Sequence, residues 1–177
     1  MSPSSLSVKH LRELAHTDML TGTMNRYSIE HQVQMALVNA QRYEQPLSLL
    51  LFDIDHFKRV NDTLGHEVGD QVLKRLVNCV EDKLREGDQL GRWGGEEFLV
   101  LVPNTHSQDT MVLAERLRGA IEATDFELEQ AITVSIGVAE WRLEDSLKSL
   151  VERADRAMYK AKHSGRNRVC LASESSS

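Results

Sequence analysis

The feature that most constrains the fold is a short, nearly continuous apolar run, Leu47–Ile54, which ends in the acidic group Asp53-Ile54-Asp55. An apolar run of this length is typical of a buried strand at the centre of a sheet, with other elements covering both faces. Carboxylates beside a core are costly unless they have partners, so the end of this strand is where we look for chemistry.

The periodicity of the other apolar residues predicts the remaining elements. Helical spacing marks a short N-terminal helix around Leu11 and Leu14, and helices over residues 29–40, 72–84, 112–121 and 147–161, the last stopped by Gly165. Strand patterns cover residues 90–93, 98–102, 132–138 and 168–171. The order β-α-β-β-α-β, with additions, predicts an α+β fold. We expect a ferredoxin-like core with a mostly antiparallel central sheet of about five strands flanked by helices, and not a doubly wound parallel sheet.

Composition and charge narrow the class of protein. A chain of 177 residues that is 41% hydrophobic fits one globular domain. The net charge of −6 offers no broad basic field for DNA or RNA, so an anionic substrate would need a metal or local cations. No apolar stretch approaches the roughly 20 residues that cross a bilayer, and the N-terminus lacks a secretory pattern, so we expect a cytoplasmic chain without membrane contact. Cys79 and Cys170 lack zinc-ligand spacing.

Asp53 and Asp55 lie two positions apart on the predicted strand, so their side chains project to one face where the strand stops. Hard cations such as Mg²⁺ prefer oxygen ligands, usually one or two carboxylates with substrate phosphates. The pair alone leaves two interpretations open. That face could hold a metal, or the two acids could be solvated and cap the next helix.

A second acidic feature is the glycine turn Gly94-Gly95-Glu96-Glu97 between two predicted antiparallel strands. Adjacent glutamates are not needed for such a turn, and crowding like charges costs stability. If the hairpin pairs beside the Leu47–Ile54 strand, Glu96 or Glu97 meets Asp53 and forms the carboxylate cradle of a metal-dependent nucleotidyl transferase. The alternative is a solvated turn.

The residues His56-Phe57-Lys58-Arg59 follow the acidic strand end directly. The chain must turn into a helix there, with unpaired N–H groups that suit phosphate. Lys58 adds a point charge that could stabilise negative charge during phosphoryl transfer, unless it is an ordinary surface lysine.

Together these segments resemble the GGDEF family of diguanylate cyclases. Three successive signatures match at residues 53–62 (DIDHFKRVND), 65–70 (GHEVGD) and 92–98 (RWGGEEF, the GGEEF variant). Residues 18–26 (DMLTGTMNR) resemble the family's DxLTGLxNR motif with Thr23 in place of Leu, and 158–162 with 165–167 resemble its YxAKxxGRN close. The resemblance implies a palm-like nucleotidyl cyclase fold over residues 17–172, after an N-terminal linker and helix at 1–16 and before a disordered tail at 173–177.

The resemblance also implies a metal site. Asp53 and Glu96, with the carbonyl of Ile54, would hold Mg²⁺ against the GTP phosphates, and Glu97 would help at a second metal. Two Mg²⁺ ions per active site are expected, with Mn²⁺ possible. Glu96 would accept the proton of the attacking 3′-hydroxyl, and Lys58 would stabilise the transition state.

Substrate contacts follow in the same way from the resemblance. The N–H groups of Phe57 and Lys58 would touch phosphate, and Lys162 and Arg166 would reach the triphosphate from the last helix.

Asn61 and Asp70, with His66 nearby, would hold the guanine. A carboxylate can accept from the N1–H and N2–H₂ donors of guanine, which adenine lacks, so ATP should be rejected. The alternative role for Asp70 is a helix N-cap.

Arg85-Glu86-Gly87-Asp88 resembles the family's RxxD inhibitory site, at which Arg85 and Asp88 would bind the product. By itself this short pattern is equally typical of an arginine at a helix C-terminus followed by a turn aspartate.

The resemblance as a whole implies a diguanylate cyclase that condenses two GTP molecules into cyclic di-GMP. Each subunit would hold one GTP, so catalysis would require a homodimer. A sensory domain commonly precedes such domains, and we expect one upstream of this segment. Two alternatives stay open: a degenerate module that binds GTP or cyclic di-GMP without catalysis, and another palm-like nucleotidyl enzyme.

Overall fold

The computed structural model describes residues 16–173. Within these residues there are five helices, α1 (Arg26–Tyr43), α2 (Phe57–Leu64), α3 (His66–Lys83), α4 (Ser107–Ala123) and α5 (Leu147–His163). The same residues contain five strands, β1 (Leu47–Ile54), β2 (Gln89–Arg92), β3 (Glu97–Pro103), β4 (Val134–Glu140) and β5 (Arg168–Leu171). Except for His16 and Ser173, the predicted N-terminal helix and C-terminal tail lie outside the described residues. None of the helices within 16–173 has both the length and the apolar character that a bilayer crossing requires.

The five strands form one sheet in the order β2-β3-β1-β4-β5. Strand β1 lies at the centre and pairs antiparallel with both β3 and β4. Strand β5 adds a short parallel edge beside β4. This arrangement confirms the predicted α+β fold with a mostly antiparallel, five-stranded sheet around the Leu47–Ile54 strand.

Helices cover both faces of the sheet, which explains why every residue of β1 is buried. On one face, Leu50 and Phe52 of β1 belong to a core that includes apolar residues of α3 and α4. On the other face, Leu49 and Leu51 belong to a second core with residues of α1 and α5. The side chains of a strand alternate between its faces, so the continuous apolar run supplies both cores.

Helix α3 begins at His66, earlier than the apolar stripe from Val72 indicated. Gly65 separates it from α2 with a φ of +93°, a backbone angle that glycine adopts without steric cost. Asp70 consequently lies inside the helix, and its alternative role as an N-cap was wrong. At the far end of the chain, α5 ends at His163 and Gly165 follows with a φ of +123°, in line with the predicted stop.

Gly137 of β4 lies directly against the backbone of α5. A Cβ atom added there would lie 2.1 Å from the Ala154 carbonyl oxygen and 2.4 Å from the Met158 nitrogen. Both are backbone atoms of a helix, which cannot move aside as a flexible side chain would. The small residue therefore sets the distance between α5 and the sheet.

We expect Gly137→Ala to lower the free energy of unfolding by about 2–3 kcal/mol, because the new methyl group overpacks this interface. Chemical denaturation measures the change. Gly119→Ala on α4 is the matched control, since an added Cβ there meets nothing within 4 Å, and the greater helix propensity of alanine should leave stability equal or slightly higher. Equal stabilities for the two variants would contradict this account of the packing.

Candidate active site

The acidic turn (residues 94–97) lies at the carboxyl end of β1. Asp53 is the register partner of Glu97 in the β1–β3 ladder. The N–H of Ile54 donates to the Glu96 carbonyl oxygen at 3.4 Å, which extends this pairing into the turn. The hairpin thus pairs beside the central strand, as the sequence-based hypothesis required, and Asp53, Glu96 and Glu97 come together from separate parts of the chain.

Hydrogen bonds close the acidic turn from within. The N–H groups of Trp93 and Gly94 both donate to the Glu97 carbonyl oxygen, at 2.8 and 3.1 Å. Arg92 donates to the Gly95 carbonyl oxygen through Nε at 3.1 Å and Nη2 at 2.7 Å. The backbone that carries Glu96 and Glu97 is therefore held in one conformation by its own hairpin.

The segment before α1 supports the same turn. Asp18 accepts from Arg92 Nη1 at 3.1 Å and from the Thr21 hydroxyl at 2.6 Å. Although burial opposes it, these bonds hold the pKa of the Asp18 carboxyl below its ordinary value. The Arg92 N–H also donates to the Met24 carbonyl oxygen at 2.8 Å. Arg92 thus ties the N-terminal segment to the acidic turn, a role that the motif resemblance did not assign to it.

Arg26, the first residue of α1, makes a second connection to the hairpin. Its guanidinium lies 3.6 Å from the centre of the Trp93 ring and donates to the Trp93 carbonyl oxygen at 2.9 Å. Such stacking of a cation on an aromatic face is favourable and fixes the planar group. Arg92 and Arg26 therefore both donate hydrogen bonds to backbone carbonyl oxygens just before the two glutamates.

The electrostatics of Asp53 reflect crowding of negative charge. Burial, together with the charges of Glu96 and Glu97, raises the pKa of the Asp53 carboxyl from 3.8 to about 6, although an ion pair with Lys162 opposes the shift. Burial also raises the pKa of Glu97, with a further contribution from Asp155 on α5. A cluster whose charged form is disfavoured in this way would be stabilised by a cation.

Asp55 has a different role from Asp53. Its carboxylate accepts from the Thr133 hydroxyl at 2.7 Å, the Ser135 hydroxyl at 2.6 Å and the Asn167 N–H at 3.0 Å. These bonds tie β1 to β4 and to the loop before β5. The hypothesis that both acids face a metal is therefore wrong for Asp55, and so is helix capping, because His56 is the N-cap of α2 and α2 has no side-chain cap.

Thr133, Ser135 and Asn167 are structural partners that the sequence did not reveal. No spacing in the chain links them to Asp55, since they come from positions 78–112 residues further on.

The N-terminus of α2 opens beside this cluster. His56 precedes the helix with a left-handed φ of +57°, Phe57 is buried, and Lys58 is exposed. The first N–H groups of a helix have no intrahelical acceptor, so the turn presents donors at the end of β1. The predicted phosphate-binding residues Phe57 and Lys58 therefore begin the helix that follows the acidic end of β1.

The predicted guanine-binding residues lie where α2 meets α3. A Cβ atom on Gly69 would lie 1.9 Å from Asn61 Oδ1, so the amide of Asn61 packs directly on the backbone beside Asp70. His66 is exposed at the first position of α3. Asn61 and Asp70 are thus neighbours across the helix junction, with His66 one turn away.

The two predicted phosphate contacts of the last helix differ in environment. Lys162 pairs with Asp53 Oδ2. Arg166 is exposed, has a left-handed φ of +62°, and forms no ion pair within residues 16–173. Lys162 therefore belongs to the acidic cluster itself, whereas Arg166 projects from the turn after α5.

Arg85 and Asp88 form a compact pair at the opposite end of β2 from the acidic turn. Arg85 Nε lies 3.3 Å from Asp88 Oδ2, and Arg85 Nη2 donates to the Thr105 hydroxyl at 2.9 Å. The Arg85 side chain is 58% exposed and that of Asp88 only 2%. The pair thus presents a fixed, accessible guanidinium that is separate from the Asp53 cluster.

The donor set fits a divalent cation that is shared with a substrate. Within residues 16–173, no three acidic, histidine or cysteine side chains form a complete metal cage. Asp53 and Glu96 supply hard oxygen ligands, and Mg²⁺ usually combines one or two such carboxylates with phosphate oxygens. These residues therefore suit a cation that takes some of its ligands from a substrate better than a structural metal held by the protein alone.

Comparisons with known proteins place the chain in a family. The family model for the diguanylate cyclase GGDEF domain matches residues 15–168. Diguanylate cyclase DgcM of Escherichia coli (strain K12) is 40% identical over 164 residues, which cover 93% of this chain and 40% of that protein. Response regulator PleD of Caulobacter vibrioides is 40% identical over 169 residues, covering 92% of this chain and 37% of PleD. The chain therefore spans about 40% of the length of these curated relatives.

Solved structures agree with the sequence comparisons. The coiled coil and GGDEF domain of DgcB from Caulobacter crescentus, solved in complex with c-di-GMP, has a TM-score of 0.89 at 32% identity and covers 94% of this chain and 91% of that one. The active GGEEF domain of a diguanylate cyclase from Vibrio cholerae has a TM-score of 0.81 at 36% identity, covering 85% and 98%. On the family match and these likenesses, the chain belongs to the GGDEF-domain family of diguanylate cyclases.

Proposed function

We propose that this chain condenses two GTP molecules into cyclic di-GMP and two pyrophosphates in a metal-dependent reaction. The observation that carries the proposal is the register of Asp53 with Glu97, which puts the acidic turn of a GGDEF family member at the end of the central strand, beside the N-terminus of α2. The relatives are longer than this chain, and we further propose that a sensory domain precedes it.

Asp53, Glu96 and the carbonyl oxygen of Ile54 would hold one divalent cation, with Glu97 contributing to a second. When bound, Mg²⁺ or Mn²⁺ would neutralise negative charge on the triphosphate and at the reacting phosphorus. The convergence of these carboxylates, and the raised pKa of both Asp53 and Glu97, support this assignment.

The triphosphate would lie along the N-terminus of α2. The N–H groups of Phe57 and Lys58 would donate to phosphate oxygens, and the Lys58 ammonium would stabilise the charge that develops during transfer. Lys162 and Arg166 would reach the phosphates from the other side. The exposure of Lys58 and Arg166 supports these contacts, since both are free to meet a ligand.

The base would be read at the junction of α2 and α3. The Asp70 carboxylate would accept from the guanine N1–H and N2–H₂ groups, Asn61 would bind beside it, and His66 would lie near the base. Adenine would leave this carboxylate unpaired, so GTP should be strongly preferred over ATP.

The reaction would need two copies of the chain. In each, the 3′-hydroxyl of the GTP bound by the partner loses its proton to Glu96 and its oxygen attacks the α-phosphorus, with pyrophosphate leaving. Two such steps, related by a two-fold axis, close the ring. Alignment of the two nucleotides across a homodimer would supply much of the rate through proximity.

Incubation of the purified chain with GTP and Mg²⁺ tests the proposal, with products identified by mass. We expect cyclic di-GMP, and a fall in turnover of about 10²–10⁴ for Glu96→Gln, because the carboxamide cannot accept the proton. Glu81→Gln, at an exposed site on α3, is the control and should retain full activity.

Bound GTP without any product would favour the alternative of a catalytically inactive receptor. A cyclic mononucleotide or a longer polymer would favour the other palm-like enzymes. Either result contradicts the proposed reaction.

The Arg85–Asp88 pair would bind cyclic di-GMP and lower turnover, with the guanidinium stacking on a guanine and hydrogen-bonding to it. The exposure of Arg85 and the separation of the pair from the acidic turn support a regulatory site over a catalytic one. We expect Arg85→Ala to relieve inhibition by added product, measured from initial rates. An Arg85→Ala enzyme that is inhibited as strongly as the wild type would contradict this role.

The raised pKa of Asp53 predicts how stability depends on pH. Its folded-state pKa of about 6 lies above the unfolded value, so ionisation penalises the fold, with no penalty below about pH 4 and the full penalty above about pH 6. Asp53→Asn should therefore raise the free energy of unfolding by roughly 1–3 kcal/mol at pH 8, and this gain should vanish towards pH 4.

Thermal or chemical denaturation across this pH range measures the effect, with the exposed Asp62→Asn as control. Saturating Mg²⁺ and a non-reactive GTP analogue should reverse the order, because only the wild type retains the carboxylate that binds the metal. If Asp53→Asn were less stable than the wild type at pH 8 without ligands, the raised pKa of Asp53 would be contradicted.

A further inference from the structure

The ion pair between Lys162 and Asp53 joins α5 to the end of β1. Lys162 lies in the last turn of α5 with 28% of its side chain exposed, whereas the Asp53 side chain is only 8% exposed. Lys162 also acts electrostatically on Glu97. A single lysine therefore neutralises part of the acidic cluster while it keeps access to solvent.

This pair differs from the other ion pair on the same helix. Arg153 and Asp145 are exposed by only 11% and 6%, and Arg153 also donates to the Glu140 carbonyl oxygen, so their pairing is fixed by the surrounding structure. Lys162 carries a compact charge on a flexible stem and has no second acceptor within residues 16–173. Within the described residues Lys162 thus has one anionic partner and is reached by solvent, whereas Arg153 is enclosed by its partners.

An ammonium group that donates to a carboxylate oxygen competes with a divalent cation for the same negative charge. Two positive charges at such a distance repel each other strongly in a partly buried site. A metal ion that binds Asp53 would therefore weaken the ion pair with Lys162 and favour its release. The displaced ammonium then needs a new anionic partner, and the triphosphate supplies one.

We propose that Lys162 is an exchangeable counterion: it pairs with Asp53 while the metal site is empty, and transfers to the triphosphate when a divalent cation takes Asp53. This inference rests on the proposed function, because it assigns a regulatory role within the same site. The metal alone leaves Lys162 without a partner, and the nucleotide alone leaves Asp53 charged and unpaired. When metal and nucleotide bind together, Asp53 pairs with the metal and Lys162 with the triphosphate. Lys162 therefore couples the two binding events.

The first test uses Mn²⁺ without nucleotide, with free Mn²⁺ followed by electron paramagnetic resonance. Lys162→Met should bind Mn²⁺ about fivefold more tightly than the wild type, since no ammonium competes for Asp53. Lys160→Met, which removes an exposed charge from the same helix, is the control and should leave the affinity unchanged. Lys162→Gln serves as a second variant, and circular dichroism verifies that each protein is folded.

The second test is the reciprocal one, with a non-reactive GTP analogue in the presence of EDTA. Asp53→Asn should bind the metal-free analogue about fivefold more tightly, because Lys162 is then free to meet the phosphates. In the Asp53→Asn/Lys162→Met double variant this gain should disappear, which separates release of Lys162 from a general loss of negative charge.

Two results would overturn the exchange: no gain in Mn²⁺ affinity for both Lys162 variants, or an equal gain for Lys160→Met. Coupled binding in a chain that forms no cyclic di-GMP would instead overturn the proposed function and leave the exchange standing. Formation of cyclic di-GMP with the two ligands binding independently would overturn the exchange alone.

Discussion

The burial of negative charge at the end of the central strand is the constraint on which the rest of the site depends. Asp53 is nearly inaccessible to solvent, and the β1–β3 register places Glu97 beside it. Carboxylates in such a position are costly unless cations or donors compensate them. Lys162 from α5 and the uncapped N-terminus of α2 bring positive charge to the same end of the sheet. The fold thus gathers an acidic centre and compensating positive charge from separate elements.

The position of the acidic turn also depends on the chain that precedes α1. Arg92 donates both to the Asp18 carboxylate and to the Gly95 carbonyl oxygen, so these three residues form a continuous hydrogen-bonded connection to the turn. Arg26 adds a contact with Trp93 from the start of α1. A displacement of the N-terminal segment would therefore shift the backbone that carries Glu96 and Glu97, because Arg92 links the two.

Local pattern was sufficient to predict the sheet and the acidic turn itself, whereas the pairing of that turn beside β1 was only one of two interpretations. The apolar run of β1 and the glycine turn each depend on neighbouring residues, so the sequence shows them directly. The partners of Asp53 and Asp55 depend instead on contacts between residues 78 to 112 positions apart, which no spacing rule reveals. Asp53 and Asp55 looked alike in the sequence but have different roles: Asp53 belongs to the acidic cluster, and Asp55 accepts structural hydrogen bonds. Asp70 lies beside Asn61, and the start of α3 was misjudged because Gly65 precedes that helix without a side-chain cap.

The central claim is that carboxylates of β1 and of the acidic turn bind one divalent cation together with the nucleotide phosphates. A crystal grown with Mn²⁺ and a non-reactive GTP analogue, measured for the anomalous scattering of manganese, tests it most directly. The account predicts manganese between Asp53 and Glu96, in contact with the phosphates, with Lys162 moved from Asp53 towards the triphosphate. Manganese bound away from Asp53, with the Lys162–Asp53 pair intact beside bound nucleotide, would contradict it.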